Sequence, residues 1–228
     1  MESRYMNFSP ALILALLFTI NVAQAGVIVG GTRLIYDGDK KESSLSVKNP
    51  DNSPYLIQSW IETTGGVEKA PFIVTPPLFR LDGGRENVLR IVRAGGNLPA
   101  DKESLFWMNI KSIPSADQGV DKNTLQIAVK TRIKLIYRPQ GVKGNPEEVA
   151  GKLVWQRKGN QLQVTNPTPF YMNFQGVKVA GKEVKEVTYV APGSTASFTL
   201  PQGISAGRIS WKIINDYGGS GKEHTGTL

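Results

Sequence analysis

Between residues 124 and 138 the chain reads TLQIAVKTRIKLIYR. Its odd positions carry Leu125, Ile127, Val129, Thr131, Ile133, Leu135 and Tyr137, and its even positions include Lys130, Arg132, Lys134 and Arg138. A period of two with one apolar and one basic face predicts a β-strand. At roughly 3.3 Å per residue it would be about 45 Å long, far beyond the usual five or six residues. A strand with so long an apolar row is an aggregation hazard unless a partner is meant to meet it. Shorter β-type runs precede it at residues 27–36, 44–48, 55–62, 72–74, 78–81, 88–93 and 105–110, separated by Asp37-Gly38, Asn49-Pro50, Gly65-Gly66, Pro76-Pro77, Gly83-Gly84, Gly95-Gly96 and Pro114. The first run is broken at Gly30-Gly31, where a bulge or a switch between sheets is expected.

After a segment rich in Gly and Pro at residues 139–146, strand patterns resume at 153–157, 161–165, 170–174, 184–190, 195–200 and 208–215, with Lys158-Gly159-Asn160 as a hairpin turn. No window of a dozen residues keeps a helical period. The pattern predicts an all-β protein of two unlike antiparallel sandwiches, at residues 26–142 and 147–228, joined at an angle.

The N-terminus is of another kind. Residues 11–20, ALILALLFTI, lead to Ala23-Gln24-Ala25, which matches the apolar region and small-residue cleavage site of a secretory signal peptide over residues 1–25. So short a run does not reach the ~20 residues needed to span a bilayer as an anchor. Cleavage after Ala25 leaves 203 of the 228 residues, a length for two domains. A secreted chain without a single cysteine relies on its cores, with neither disulfides nor thiolate metal sites. The net charge of +8 suits acidic partners such as polyanionic glycans or acidic protein, or simply reflects solvated lysines.

Several chemistries fall away. His224 is the only histidine, which removes Ser-His-Asp and Cys-His catalysis and histidine metal centres. Residues 218–222, GGSGK, resemble part of a phosphate loop, but Glu223 stands where Ser or Thr is required and no helix is predicted after it. Glu147-Glu148 is expected to be solvated loop charge. The aromatics Trp60, Phe106, Trp107, Trp155, Tyr171 and Trp211 read mostly as core, and only Tyr137 lies beside the basic row, so a stacking surface for nucleic acid is not expected. A binding protein without cofactor or metal is favoured over an enzyme.

Two charge sets stand out. Arg33 and Lys134 lie in otherwise apolar strands; should both strands end near the hinge, the two cations could converge on a carboxylate. Lys134 could equally be an edge charge that discourages aggregation, and Arg33 an ordinary surface residue. Glu103, Arg138 and Asp216 could set the angle between domains, against the alternative of unrelated surface charges.

Seven segments carry a resemblance: 32–38 (TRLIYDG), 74–81 (VTPPLFRL), 103–114 (ESLFWMNIKSIP), 125–139 (LQIAVKTRIKLIYRP), 164–170 (VTNPTPF), 191–201 (APGSTASFTLP) and 211–219 (WKIINDYGG). In this order, behind a signal peptide, the chain resembles the periplasmic chaperones of chaperone–usher pilus assembly, two immunoglobulin-like domains in a boomerang. The resemblance implies that Arg33 and Lys134 hold the C-terminal carboxylate of a pilus subunit. It implies that Leu125, Ile127 and Val129 are the donor-strand residues that enter the groove of a strand-deficient subunit, and that Glu103, Arg138 and Asp216 form interdomain salt bridges. A cis proline is implied in the Pro76-Pro77 turn. Ser115 stands where the family often has a second proline, and the short segment 115–123 suggests the short-loop branch associated with rod-like fimbriae. The implied partners are pilus subunits and an outer-membrane usher, in the periplasm; a self-capping homodimer of the free protein is left open. The alternative is a secreted two-domain adhesin or polyanion- and glycan-binding sandwich.

Overall fold

The computed structural model describes residues 26–66, 70–115, 126–204 and 206–228. The leader expected over residues 1–25 and Leu125, expected as a donor residue, lie outside them.

The first unit is built from β1 (Ile28–Val29), β2 (Arg33–Asp37), β3 (Glu42–Lys48), β4 (Tyr55–Thr63), β5 (Phe72–Thr75), β6 (Leu78–Leu81), β7 (Glu86–Arg93), β8 (Ser104–Pro114) and β9 (Val129–Arg138). They form a four-stranded sheet, β1-β3-β7-β5, and a five-stranded sheet, β2-β9-β8-β4-β6. Alternate residues of both sheets point inward and share one core, with Val47, Leu89 and Ile91 from the first meeting Ile57, Met108 and Leu135 from the second. Phe72 joins the layers through an edge contact with Phe106, the rings 5.0 Å apart, and a tilted one with Tyr36 at 5.3 Å. The break at Gly30-Gly31 is a switch between sheets: β1 pairs β3 and β2 pairs β9. Gly30 crosses so close to β3, its N–H donating to the Ser46 carbonyl at 2.9 Å, that an added Cβ would collide with the Ser46 hydroxyl. The Thr75–Pro76 bond is cis.

A short helix α1 (Pro146–Val149) and a 3-10 turn (Ala150–Lys152) lead into the second unit. That unit comprises β10 (Val154–Lys158), β11 (Gln161–Thr165), β12 (Met172–Val179), β13 (Lys182–Glu183), β14 (Tyr189–Val190), β15 (Thr195–Thr199), β16 (Arg208–Ile214) and β17 (Ser220–Thr227). A β10-β11-β15 sheet faces a β13-β12-β16-β17 sheet, with β14 also on β12. Trp155, Phe174 and Trp211 cluster in this core, the Trp155 ring 5.4 Å and 5.5 Å from the other two. The Gly159-Asn160 loop closes a two-residue hairpin with φ of +61° at Gly159, as the sequence predicts. Among the described residues no helix is long and apolar enough to cross a membrane.

Four readings of the sequence change. Among the described residues the long strand begins at Val129: Ser112 on β8 pairs with Val129, and residues 126–128 have no ladder partner there although their alternation continues. Alternation reports which face a side chain prefers, and a strand also needs a neighbour. Of the run 184–190 only Tyr189–Val190 is strand, as β14, while β13 (Lys182–Glu183) ends before the run begins. The glycine-rich tail is strand β17, whose lack of apolar alternation reflects its position at the sheet edge; Gly226 lies over Trp211, and His224 stacks on the same ring at 5.7 Å. Finally, α1 carries start signals that a search for long periods passes over: Asn145 caps the Glu148 N–H at 3.1 Å, Pro146 opens the helix and Glu147 and Glu148 fill its first turn.

Loops are held by buried asparagines. Asn166, fully buried, donates to the carbonyls of Phe170 (2.8 Å), Ala191 (3.1 Å) and Val190 (3.3 Å) and accepts from the Thr168 N–H and hydroxyl. Asn166→Ala should therefore lower the unfolding free energy by about 2–3 kcal/mol by leaving buried groups unpaired, as read from urea denaturation. An unchanged midpoint would contradict this network.

Candidate functional site

β2 runs parallel to β9, the one parallel pairing in this sheet, and its register sets Arg33 beside Lys134 and Asp37 beside Arg138. Two cations that the sequence separates by a hundred residues are thereby cross-strand neighbours on the outward face. They line a cleft of about 350 Å³ with Thr32, Trp107, Arg132 and Gly218. The second unit forms the far wall. Arg33 Nη1 donates to the Ile214 carbonyl at the end of β16 at 3.2 Å, while its buried Nε has no partner among the described residues. Lys134 Nζ donates to Asn173 Oδ1 on β12 and stands 4.6 Å from the centre of the Tyr189 ring on β14. Burial, and then the neighbouring Arg33, pull the Lys134 ammonium down to about 8. Burial also lowers Arg33, with Asp216 opposing. The cleft is thus short of negative charge: an incoming carboxylate would relieve both effects through charge-assisted hydrogen bonds.

The second charge set comes together at the junction of the units. Arg138 Nε donates to Glu103 Oε1 at 2.8 Å, and its two terminal nitrogens grip Asp216 in bidentate fashion at 2.8 and 2.9 Å. The other Glu103 oxygen accepts from the Tyr171 N–H at 2.6 Å, and the Arg138 guanidinium lies 5.1 Å from the centre of the Phe170 ring. Asp216 is presented by a turn that Asn215 organises, its Oδ1 accepting from the Tyr217 and Gly219 N–H groups at 3.1 and 2.8 Å. Gly218 completes that turn at a φ of +85° and passes so near Thr32 that an added Cβ would strike the Thr32 hydroxyl.

The residues expected to act as donors differ in setting. Ile127 is 65% exposed and Val129 47% exposed, whereas Ile133, Leu135 and Tyr137 further along the same row are core. β2 covers β9 only from Lys134 onward, so residues 129–133 pair with β8 on one side and, among the described residues, have no strand on the other.

The aromatic expectations are partly reversed. Phe106, Trp155 and Trp211 are core, but Trp60 and Trp107 are half-buried beneath the basic row, and Tyr137, expected beside that row, is in the core with its hydroxyl accepting from Arg93 at 2.7 Å. Sequence reasoning also missed Asn173 and Tyr189, which reach the site across the junction and carry no local signal, and it read as core Tyr171, which is half-buried with its N–H on Glu103.

Residues 26–143 match the family described as pili and flagellar-assembly chaperone, PapD N-terminal domain, and residues 148–225 match the PapD C-terminal domain of pili assembly chaperones. The chain belongs to the PapD family of pilus-assembly chaperones. It is 45% identical over 221 residues to the probable fimbrial chaperone LpfB of Escherichia coli O157:H7, covering 96% of this chain and 94% of that one. Against the chaperone protein FimC of Escherichia coli K12 the identity is 46% over 209 residues, covering 90% and 86%. The solved structure of the E. coli chaperone DraB superposes with a TM-score of 0.81 at 46% identity over 89% of this chain and 96% of that one. A chain from the complex of the Salmonella enterica SafA pilin with the SafB chaperone gives 0.84 at 41% identity over 91% and 99%.

Within this PapD-family fold, burial pushes the Glu103 carboxyl, only 3% exposed, up to about 6 against the opposing pull of Arg138 and the Tyr171 N–H. The native state therefore takes up a proton before the unfolded chain does. The stabilising contribution is full below about pH 4.5 and is lost as pH rises through about 6. Unfolding free energies of wild type minus Glu103→Gln should fall by about 2 kcal/mol between those limits and stay flat above. A difference that grows with pH would show that the Arg138 pairing outweighs burial.

Proposed function

We propose that this protein is a periplasmic chaperone, without catalytic activity, that holds pilus subunits by strand donation until an outer-membrane usher takes them. The observation that carries this reading is the open edge of β9 at residues 129–133 lying in line with the Arg33–Lys134 pair. β2 occupies the same edge, parallel to β9, and starts at Arg33. A partner strand laid along residues 129–133 in the same direction would run toward β2 and end at the two cations, with its terminal carboxylate between them. Main-chain hydrogen bonds along the edge would give affinity, and Leu125, Ile127 and Val129 would fill the partner's groove. Burying three such side chains is worth roughly 5–9 kcal/mol before the costs of association.

The clamp would set register. A slip by one residue would turn Lys130 and Arg132 toward the groove in place of the apolar row. Glu103, Arg138 and Asp216 would hold the second unit so that Asn173 and Ile214 keep the cations aligned. That SafB was solved with a pilin supports the reading for this relative at 41% identity. No nucleotide enters this scheme; release would come from exchange of one strand for another at the usher.

Arg33→Ala or Lys134→Ala should yield a folded, exported protein that no longer protects its subunits from degradation, scored by subunit abundance in periplasmic extracts. Normal recovery of complexes from either variant would refute the clamp. Since the free Lys134 ammonium loses its proton near 8, affinity for a free-carboxylate partner should be level below that pH and decline above it, by up to tenfold per pH unit. A pH-independent affinity up to about 10 would argue that Lys134 does not face the carboxylate. Ile127→Asp should weaken capture at unchanged thermal stability, and undiminished binding would argue against strand donation.

A further inference from the structure

The outward face of the five-stranded sheet carries two seated cations, Lys130 and Arg132, beside the Arg33–Lys134 pair, and Arg132 also lines the cleft of that pair. Register places Gln58, Lys111 and Lys130 in one line across the sheet, then Trp60, Asn109 and Arg132, then Glu62, Trp107 and Lys134. Lys130 Nζ sits 4.9 Å from the centre of the Trp60 ring, and the Arg132 guanidinium 4.6 Å from that of Trp107. Glu62 tethers both, reaching Arg132 Nη2 at 2.9 Å and Lys130 Nζ at 3.7 Å. Trp60 Nε1 donates to Glu62 Oε1 at 2.7 Å, and this bond, then Lys130 and Arg132, hold the Glu62 carboxyl below the usual carboxylate range against partial desolvation.

One carboxylate does not balance this face. Lys111 stands directly opposite Lys130, a like-charge pair that costs stability in a sheet, and Arg33 stands beside Lys134. Cations serving only to keep other edges away would need neither an aromatic seat nor a tether. Stacked as they are, the charged ends of Lys130 and Arg132 lie over β8 and β4, on the side of β9 away from its open edge, and turning toward a strand added at that edge would exchange the Glu62 contact for one with the new strand.

We propose that Lys130 and Arg132 determine specificity by selecting a partner strand that carries Asp or Glu at its outward positions. The inference rests on the strand-donation reading and names the chemistry of what is captured. A strand added along residues 129–133 alternates like β9 itself: its inward side chains face the partner's core, and its outward ones come to cross-strand distance from Lys130 and Arg132. An acidic residue there neutralises surplus charge, and a basic one would add a further cation to the face. The same field would steer acidic segments toward the edge before pairing begins.

The test uses the whole mature chain and synthetic strand peptides with a free C-terminal carboxylate, an apolar alternate row, and Glu, Gln or Lys in the other row. By fluorescence anisotropy the Glu peptide should bind more tightly than the Gln peptide by about two- to fivefold per acidic residue, and the Lys peptide more weakly. The differences should shrink in about 1 M salt, where screening is nearly complete. Lys130→Gln with Arg132→Gln should flatten the order, and Lys130→Glu with Arg132→Glu should invert it. Equal affinities of the three peptides for the wild type would overturn the inference. If C-terminal amidation still weakened all three, strand donation would stand and only the acidic preference would fall; failure of every peptide to bind would count against both.

Discussion

The structure depends on one short parallel pairing, that of β2 with β9. Five residues of β2 close one end of the β9 edge and leave the other end open, and the register of those five residues puts Arg33 against Lys134 and Asp37 against Arg138. Sheet growth on the one hand and charge placement on the other are therefore set by the same few hydrogen bonds. An antiparallel or longer β2 would have covered the edge and moved Arg33 away from the lysine. Placing two cations side by side under partial burial costs free energy, which Asn173, Tyr189 and the Ile214 carbonyl offset in part. The cost that is left is what makes the cleft receptive to an anion.

The junction of the two units has a different logic. Arg138 belongs to β9 and follows Lys134 by four residues, so the strand that lines the cleft also anchors the second unit through Glu103 and Asp216. Removing one member of so buried a group leaves an uncompensated charge and costs more than an exposed pair would. The far wall of the cleft, Asn173 and Ile214, arrives with that second unit. Cleft geometry and interdomain geometry are thus coupled through four residues of one strand. In the proposed complex this coupling would let a subunit bound at Lys134 sense the position of the second unit.

Much of this was legible in the sequence, and what was not has identifiable causes. Alternation located most strands because each buries one face, and Gly30-Gly31 marked the crossing between sheets because a Cβ on Gly30 would collide with Ser46 and one on Gly31 would crowd the Arg33 carbonyl. The start of β9 was misplaced because alternation continues through Ile127 where pairing has stopped. β17 was invisible because an edge strand built from Ser, Gly, Lys and Thr buries too little to leave a pattern. At the site, Arg33 and Lys134 could be singled out as cations in apolar strands, yet their adjacency depends on a parallel register that no local pattern encodes. Trp60 and Trp107 read as core because aromatic residues in strands commonly are; beneath a row of cations, their faces serve another purpose.

The central claim is that the open edge of β9 is where a partner strand is added. Backbone amide hydrogen exchange, followed with and without a co-purified pilus subunit, tests it most directly. The account predicts that exchange slows across residues 127–133 on complex formation while the outer strands of the second unit are unaffected. Unchanged exchange at residues 127–133 in a stable one-to-one complex would contradict it.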